Sequence, residues 1–454
     1  MSPPGILRFS AAWKRLRNSA LAWDTLTTSA WNLFGRGVGF LIPFFLAAWF
    51  GISSQTDAFF FGYGLIVFIA GIFAPAIEVM TVPYIAEIRA EGGDVGRFVG
   101  RMLCWSGAGM TVLALLLVLL ARPVIGTVTR FDPDSLRTIS RLLLLTAPLM
   151  VLLVWTGVLT GYLNAYKKFA FPAVAPAFRA AANLAVIFAL KDAMGVFAIA
   201  LGYLAGEVIR LLWLLAVIGR SAMPPIRLAL GWDGAMRNFL AVAFFQAISL
   251  AAAHFKAVVD KAMASWLEPG SVSVLEYAYR LYLIPLAFFS TGLFVTILSH
   301  WSERYYGRGR RQLSRDVFKT ARLTAAASLL ITVVVILFST PLVRLAYGRG
   351  EFAAERVPVV SLVWICYLVG FLPSALTGVI MRGHLTLKNT KILMQNAIAM
   401  NLANILFNYL LMWRFRAAGI AFSTSIVAAL SLIHLTWRFR SDPRIAAERA
   451  AGNG

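Results

Sequence analysis

Twelve runs of mostly apolar residues follow one another along the chain, each near the ~20 residues that a helix needs to cross hydrocarbon. They fall near residues 27–50, 57–85, 98–121, 138–160, 170–190, 194–218, 236–262, 271–299, 318–339, 356–380, 391–412 and 416–437. Twelve spans of ~22 residues use ~264 and leave ~15 per connection or tail, which excludes a soluble catalytic domain. Composition agrees: 14% of the 454 residues are charged, against roughly 25% in a soluble domain. In lipid every backbone polar group must be satisfied within the chain, so the expected fold is all-α, a polytopic membrane protein of about 12 transmembrane helices.

The formal charge of +22 would point to nucleic acid in a soluble protein. Here the basic residues cluster at the ends of apolar runs, the positive-inside pattern, so nucleic acid is excluded as a partner. With a cytoplasmic N-terminus, one face receives Arg89, Arg97, Arg101, Lys167, Lys168, Arg220, Arg227, the dense 304–322 loop and Arg438 to Arg449. The opposite face carries basic residues diluted by Asp132, Asp134, Asp192, Glu351 and Glu355. Both termini are therefore expected in the cytoplasm. Residues 1–25 interleave Arg8, Lys14, Arg15 and Arg17 with Phe9, Trp13, Leu16 and Trp23, a basic amphipathic segment for the membrane surface. The apolar run that follows is too long for a signal-peptide core and contains Arg36.

A basic linker at 219–235, with Pro224 and Pro225, has six spans on either side. The expected organisation is the surface segment 1–25, an N-lobe over 26–222, a C-lobe over 223–440 and a tail over 441–454. Asn183-Leu184 before a Gly/Ala-rich sixth span is matched by Asn401-Leu402 before Gly419-Ile420-Ala421, as in a repeat of six helices. Such repeats commonly enclose a site at their interface.

Charged residues inside a bilayer cost ~2.5–3.5 kcal/mol each on insertion scales and mark cavities or partners. Arg36 and Arg280 each lie about nine residues into a span, or ~14 Å at the helical rise. Spacings of three or four pair Lys256 with Asp260, Glu276 with Arg280 and Glu207 with Arg210 on one helix face. Each such pair either satisfies itself or lines a cavity. Arg36, Glu78 and Arg179 have no partner on their own helix, and Arg36 and Glu78 fall at similar depth, where they can pair across helices. Together Arg36, Arg179, Lys256, Lys261 and Arg280 outnumber Asp260 and Glu276. A cationic cavity favours an anionic ligand, and the planar guanidinium fork suits phosphate. Asn401, Asn404 and Asn408 share a face of span eleven, as interhelical glue or as an ion site.

Absences narrow the class further. There is no GxxxxGK[ST] loop and no HExxH; His254, His300, His384 and His434 are scattered, and Cys104 and Cys366 both sit inside apolar runs. No cofactor, metal or catalytic group is expected. Pro43, Pro75, Pro83, Pro172, Pro176, Pro285 and Pro373 interrupt spans and can kink them.

Particular strings carry a family resemblance. Gly39-Phe40, Phe50-Gly51, Thr56-Asp57-Ala58-Phe59-Phe60 and Val82-Pro83 resemble the first two spans of the MviN/MurJ family, the lipid II flippases of bacterial cell-wall synthesis. Leu163-Asn164-Ala165 through Ala175-Pro176, Val259-Asp260-Lys261 through Arg280 and Pro285, and Lys388-Asn389-Thr390-Lys391 resemble later segments in family order. The resemblance implies the multidrug/oligosaccharidyl-lipid/polysaccharide exporter superfamily, with two six-helix lobes, a central cavity and alternating access. It also implies a polyprenyl diphosphate-linked sugar as substrate, with Arg36, Asp57 and Arg280 at positions of charged family residues. The family's second span-one arginine falls at Ile42, its span-two arginines at Ala70 and Gly71, its Glu-Gly pair at Pro75-Ala76, and the aspartate before Arg280 at Tyr279.

The expectation is a non-enzymatic flippase that carries a lipid-linked saccharide, lipid II-like or an exopolysaccharide precursor, to the outer leaflet. Arg36, Arg280, Lys256, Arg179 and Asp57 are its substrate-binding candidates; Asp260, His254 and Glu78 are its ion-coupling candidates. Its partners are the lipid-linked glycan and membrane lipids. The rivals are a multidrug or metabolite exporter, which would more often use acidic cavity residues, and a non-transporting scaffold recruiting glycan synthesis enzymes through the 304–322 loop.

Overall fold

A computed structural model describes residue 35, residues 37–288 and 313–450, and six positions between 294 and 305. The surface segment 1–25, Arg36 and positions 304 and 306–312 of the basic loop lie outside the described residues. Every regular element among them is helical: α1 (Gly37–Phe50), α2 (Ser54–Ala90), α3 (Val95–Val128), α4 (Pro133–Ala165), α5 (Ala170–Met194), α6 (Val196–Gly219), α7 (Gly234–Ala264), α8 (Ser271–Phe288), α9 (Leu313–Leu337), α10 (Ala354–Thr386), α11 (Thr390–Arg440) and α12 (Pro443–Ala450), with a short helix Ser339–Tyr347 before α10. Eight of the described helices are long and apolar enough to cross a membrane. The longest, α11, holds two expected spans in one element, broken at Arg416.

Helix starts follow local chemistry. Asp94, Asp132 and Asp233 accept the backbone N–H of Arg97, Ser135 and Met236 at 3.0, 2.7 and 2.9 Å, so each caps the helix that begins beside it. At α2 a reciprocal box forms: the Ser53 amide donates to Thr56 Oγ1 (2.8 Å) and the Thr56 amide to Ser53 Oγ (3.2 Å). The lipid-facing sides stay apolar, as at Leu115, Leu119 and Leu120 on α3 and Leu323, Leu330 and Leu337 on α9. Contiguous apolar surface on this scale is stable against hydrocarbon and not against water.

The internal repeat is written in the backbone. Lys167 and Lys388 take φ of 57° and 58° in the loops before α5 and α11. Gly195 (φ 54°, ψ −135°) and Arg416 (φ 52°, ψ −136°) make the same turn between the next two spans. Both pairs are 221 positions apart, so the repeat aligns Asn183 with Asn404. The expected match of Asn183-Leu184 with Asn401-Leu402 is therefore three residues out of register, almost one helical turn, which is why it looked plausible in sequence. Arg416 holds a conformation that favours glycine, and its guanidinium is pinned to both carboxylate oxygens of Glu268 at 2.8 and 2.9 Å.

The chain forms two compact units. Unit 1 takes the described residues up to Phe45 with Gly62–Pro123 and Ile139–Ile248. Inside it α6 approaches α5 through Gly202 and Gly206, where an added Cβ would lie 2.5 Å from Ile187 and 2.6 Å from the Arg179 carbonyl. The Pro-Pro linker is strapped along α3: the Arg227 amide donates to the Gly96 carbonyl (3.2 Å) and the Tyr162 hydroxyl to the Pro224 carbonyl (2.7 Å). Gly100 permits this, since a Cβ there would fall 1.9 Å from the Arg227 carbonyl oxygen.

Unit 2 takes Leu46–Phe61, Val124–Thr138 and the chain from Ser249 on. Phe60, Tyr347 and Phe352 pack around Tyr277, whose hydroxyl donates to the Gly51 carbonyl at 3.1 Å. At its C-terminal end Asp442 accepts from Arg444 Nε (2.9 Å), Arg444 Nη2 (2.7 Å) and Asn389 Nδ2 (2.8 Å), clamping the loop before α11 to the loop after it.

The hydrogen bonds from Arg444, the largest cause, hold the Asp442 carboxyl down at about 2, against ~3.9 in an unfolded chain. A lowered folded value contributes stability above the unfolded one, and that stability is lost as pH falls toward 2. Thermal unfolding in detergent should show Asp442→Asn less stable than the native chain at pH 6, with the gap closing between about pH 4 and pH 2. A gap independent of pH would contradict the clamp.

Candidate functional site

Unit 2 holds three polar clusters. In the first, Asp57 in the opening turn of α2 caps a second helix, α8. Its Oδ2 accepts the Gly270 amide and its Oδ1 the Ser273 amide, each at 2.7 Å, and Ser273 Oγ also reaches Oδ1. The carboxylate thus faces the positive ends of two helices at once. Gly270, at φ 95°, provides the turn that aims these amides.

The second cluster sits further along α8. Glu276 Oε1 accepts from Arg280 Nε (2.7 Å) and its Oε2 from Lys261 Nζ of α7 (2.8 Å); Lys261 also donates to the Phe60 carbonyl at 3.1 Å. The Glu276 side chain is 7% exposed and that of Arg280 41%. One buried carboxylate therefore answers two cations, of which Arg280 is the more exposed.

The third cluster joins α7 to both limbs of α11. Asn408 Nδ2 donates to Asp260 Oδ1 at 2.6 Å, Asn404 Nδ2 donates to Ser423 Oγ at 3.1 Å, and Ser423 Oγ donates to Asn408 Oδ1. Asp260 takes this hydrogen bond from Asn408 and not from Lys256, the half-buried neighbour one turn earlier. Asn401 leaves the set, donating to the Ala397 carbonyl of its own helix at 2.9 Å.

Unit 1 holds the fourth cluster, where Glu207 of α6 is 1% exposed. Its Oε1 accepts from Thr156 Oγ1 of α4 (2.7 Å) and Arg210 Nη1 (3.0 Å), its Oε2 from Arg179 Nη1 of α5 (3.4 Å). The Tyr63 and Tyr203 rings, 4.3 Å apart, lie within electrostatic reach of Arg179. The close α5/α6 approach at Gly202 and Gly206 brings Arg179 and Glu207 together.

A family profile described as "Lipid II flippase MurJ" matches residues 46–451. The chain belongs to this family. A probable lipid II flippase MurJ of Thermotoga maritima is 25% identical over 419 residues, 92% of this chain and 85% of that one. The lipid II flippase MurJ of Burkholderia cenocepacia is 24% identical over 423 residues, 90% of this chain and 82% of its own length. Among solved structures, a lipid II flippase MurJ in an inward closed conformation superposes with TM-score 0.79 at 22% identity, covering 92% of this chain and 88% of that one. An inward-facing MATE transporter of the MOP superfamily gives TM-score 0.73 at 13% identity, over 92% and 96%. The fold is that of these polytopic transporters.

Of the residues singled out from sequence, Arg280, Asp57, Asp260 and Lys256 lie in unit 2 and Arg179 and Glu78 in unit 1, with Glu78 half-buried on α2. His254 is exposed on α7, and Arg36 is outside the described residues. Residues not singled out are Ser273 and Thr156, hydroxyls with no sequence signal; Lys261 was counted among the cations, but its contact with Glu276 crosses from α7 to α8 and helical spacing does not give it. Removing one member of a buried ion cluster leaves the others uncompensated, at about 3–5 kcal/mol. Glu276→Ala should thus destabilise unit 2 by about 3 kcal/mol, since water reaches Arg280, and Lys261→Met in the same chain should restore part of the loss. Equal unfolding temperatures for native and Glu276→Ala protein in detergent would refute that arrangement.

Proposed function

We propose that the chain is a flippase that carries a polyprenyl diphosphate-linked saccharide from the cytoplasmic to the outer leaflet of the bacterial inner membrane. The observation that carries this reading, beside family membership, is Arg280: a guanidinium about nine residues into α8, ~14 Å along its axis, bonded to Glu276 and 41% exposed at its side chain. A part-exposed guanidinium at that depth marks a cavity or a partner, and a diphosphate offers two acceptors to its planar fork. Lys256 is a further candidate cation of unit 2 and Arg179 of unit 1, and Arg36 is a candidate from its place in the sequence. Asp57 contributes by fixing the start of α8, on which Glu276 and Arg280 ride. The six-helix halves, 26–222 and 223–440, work by alternating access, with both termini in the cytoplasm.

No bond is made or broken in this reading. Moving the head group requires only that fixed donors replace the water it loses. Moving one charge across the membrane gains ~2.3 kcal/mol per 100 mV. For ion coupling, Asp260 is the first candidate because Asn404, Asn408 and Ser423 gather oxygen and amide groups around it; His254 and Glu78 follow. Glycan synthesis enzymes are the proposed neighbours in the membrane. The missing family arginines at Ile42, Ala70 and Gly71 favour a head group other than lipid II itself.

In vesicles holding the purified chain, Arg280→Ala should reduce translocation of a fluorescent lipid-linked saccharide at least tenfold, and Arg280→Lys should retain part of it. Undiminished translocation by Arg280→Ala would remove the central support for this reading.

A further inference from the structure

The Glu207 cluster holds more positive charge than its carboxylate can neutralise, and its geometry divides the labour between the two arginines. Arg210 lies three residues from Glu207 on the same helix and donates at 3.0 Å, sharing Oε1 with Thr156. Arg179 comes from α5 and reaches Oε2 through Nη1 alone at 3.4 Å, the longer contact. Arg210 is 15% exposed at its side chain and Arg179 31%. One arginine is therefore the closer counter-charge, and the other is bonded through one nitrogen and is the more exposed of the two. Arg179 lies nine residues into α5, ~14 Å along the axis, deep in a helix of membrane-spanning length.

A charge there that its own cluster leaves uncompensated is expected to meet an anion. We infer that Arg179 is an anion-binding residue of unit 1 that takes phosphoryl oxygens, and that Glu207 and Arg210 are positioning residues that present it without touching the ligand. Glu207 fixes one edge of the guanidinium so that the other edge stays oriented, which lowers the ordering entropy lost on binding. Arg210 satisfies Glu207, so that Arg179 is not drawn in to neutralise it. The Tyr63 and Tyr203 rings pair within electrostatic reach of it. This deepens the reading above, in which Arg179 was one cation among several, and rests on it for the identity of the phosphoryl group. The same chemistry is offered by the diphosphate of a lipid-linked saccharide or by free pyrophosphate.

The test follows from a sign. Simple charge counting says that removing a carboxylate beside a cation strengthens anion binding; presentation by Glu207 says that it weakens it. Calorimetric titration of the full-length chain in lipid nanodiscs would use inorganic pyrophosphate in one arm and a short-chain, soluble polyprenyl diphosphate saccharide in the other. Arg179→Ala should lower affinity for both ligands at least tenfold. Glu207→Gln and Arg210→Gln should each lower it about fivefold with unchanged stoichiometry, whereas a folding defect lowers the stoichiometry and leaves affinity intact. If Glu207→Gln does not fold, Glu207→Asp, which keeps the charge and shortens the reach to Arg179, should lower affinity where charge counting expects no change. Equal or tighter binding by Glu207→Gln, or native affinity in Arg179→Ala, overturns it. Translocation separates the two levels. Loss in Arg280→Ala with native transport and binding in Arg179→Ala defeats this inference and leaves the flippase reading. Arg179-dependent pyrophosphate binding by a native chain that translocates nothing defeats the flippase reading and leaves the anion site.

Discussion

The architecture depends on how few carboxylates it spends on its buried cations. In unit 2 Glu276 answers Lys261 and Arg280; in unit 1 Glu207 answers Arg179 and Arg210. A carboxylate with one partner would close the account, and the helices could then pack as an inert bundle. With two partners the carboxylate is held firmly and each cluster keeps a net positive charge. Within each trio one cation is the more exposed, Arg280 above Lys261 and Arg179 above Arg210. Helix ends serve the same economy, since Asp57 stabilises its own helix and the start of α8 together.

The two halves of the chain share a backbone plan and fill it differently. In the 221-residue register, Asn183, Ile187 and Gly202 correspond to Asn404, Asn408 and Ser423. The first set makes a tight apolar crossing in which Gly202 admits the neighbouring helix. The second makes a hydrogen-bonded network that reaches Asp260. One fold plan thus yields a close helix pair carrying Arg179 in one unit and a polar cluster in the other. Glycine at 195 and arginine at 416 make the same turn, and the arginine holds that backbone with help from Glu268.

Much of this was legible in the sequence, for identifiable reasons. Helical spans follow from apolar run length, so the order of elements could be read directly. Pairs at three or four residues, such as Glu276 with Arg280 and Glu207 with Arg210, follow from helical period alone and appear as expected. Contacts between helices did not follow. Lys261 with Glu276, Arg179 with Glu207 and Asp57 with Ser273 join residues that only packing brings together, and period carries no information about them. The Lys256 and Asp260 spacing keeps the two within electrostatic reach, and the hydrogen bond from Asn408 of a second helix adds a partner that helical period could not show. The repeat was visible, but its register was not, since small apolar residues match at many offsets and only the left-handed turns fix one.

The central claim is that Arg179 and Arg280 stand deep in apolar helices and still meet water. It is tested most directly by placing single cysteines at 179 and 280, in a chain whose Cys104 and Cys366 are alanine, and treating sealed membranes with a charged, membrane-impermeant thiol reagent. A cysteine at the lipid-facing position of Leu119 serves as the control. The account predicts labelling at 179 and 280 from the aqueous phase, slowed by pyrophosphate, and none at 119. Reaction at 179 and 280 only with a lipid-soluble reagent, as at 119, would contradict it.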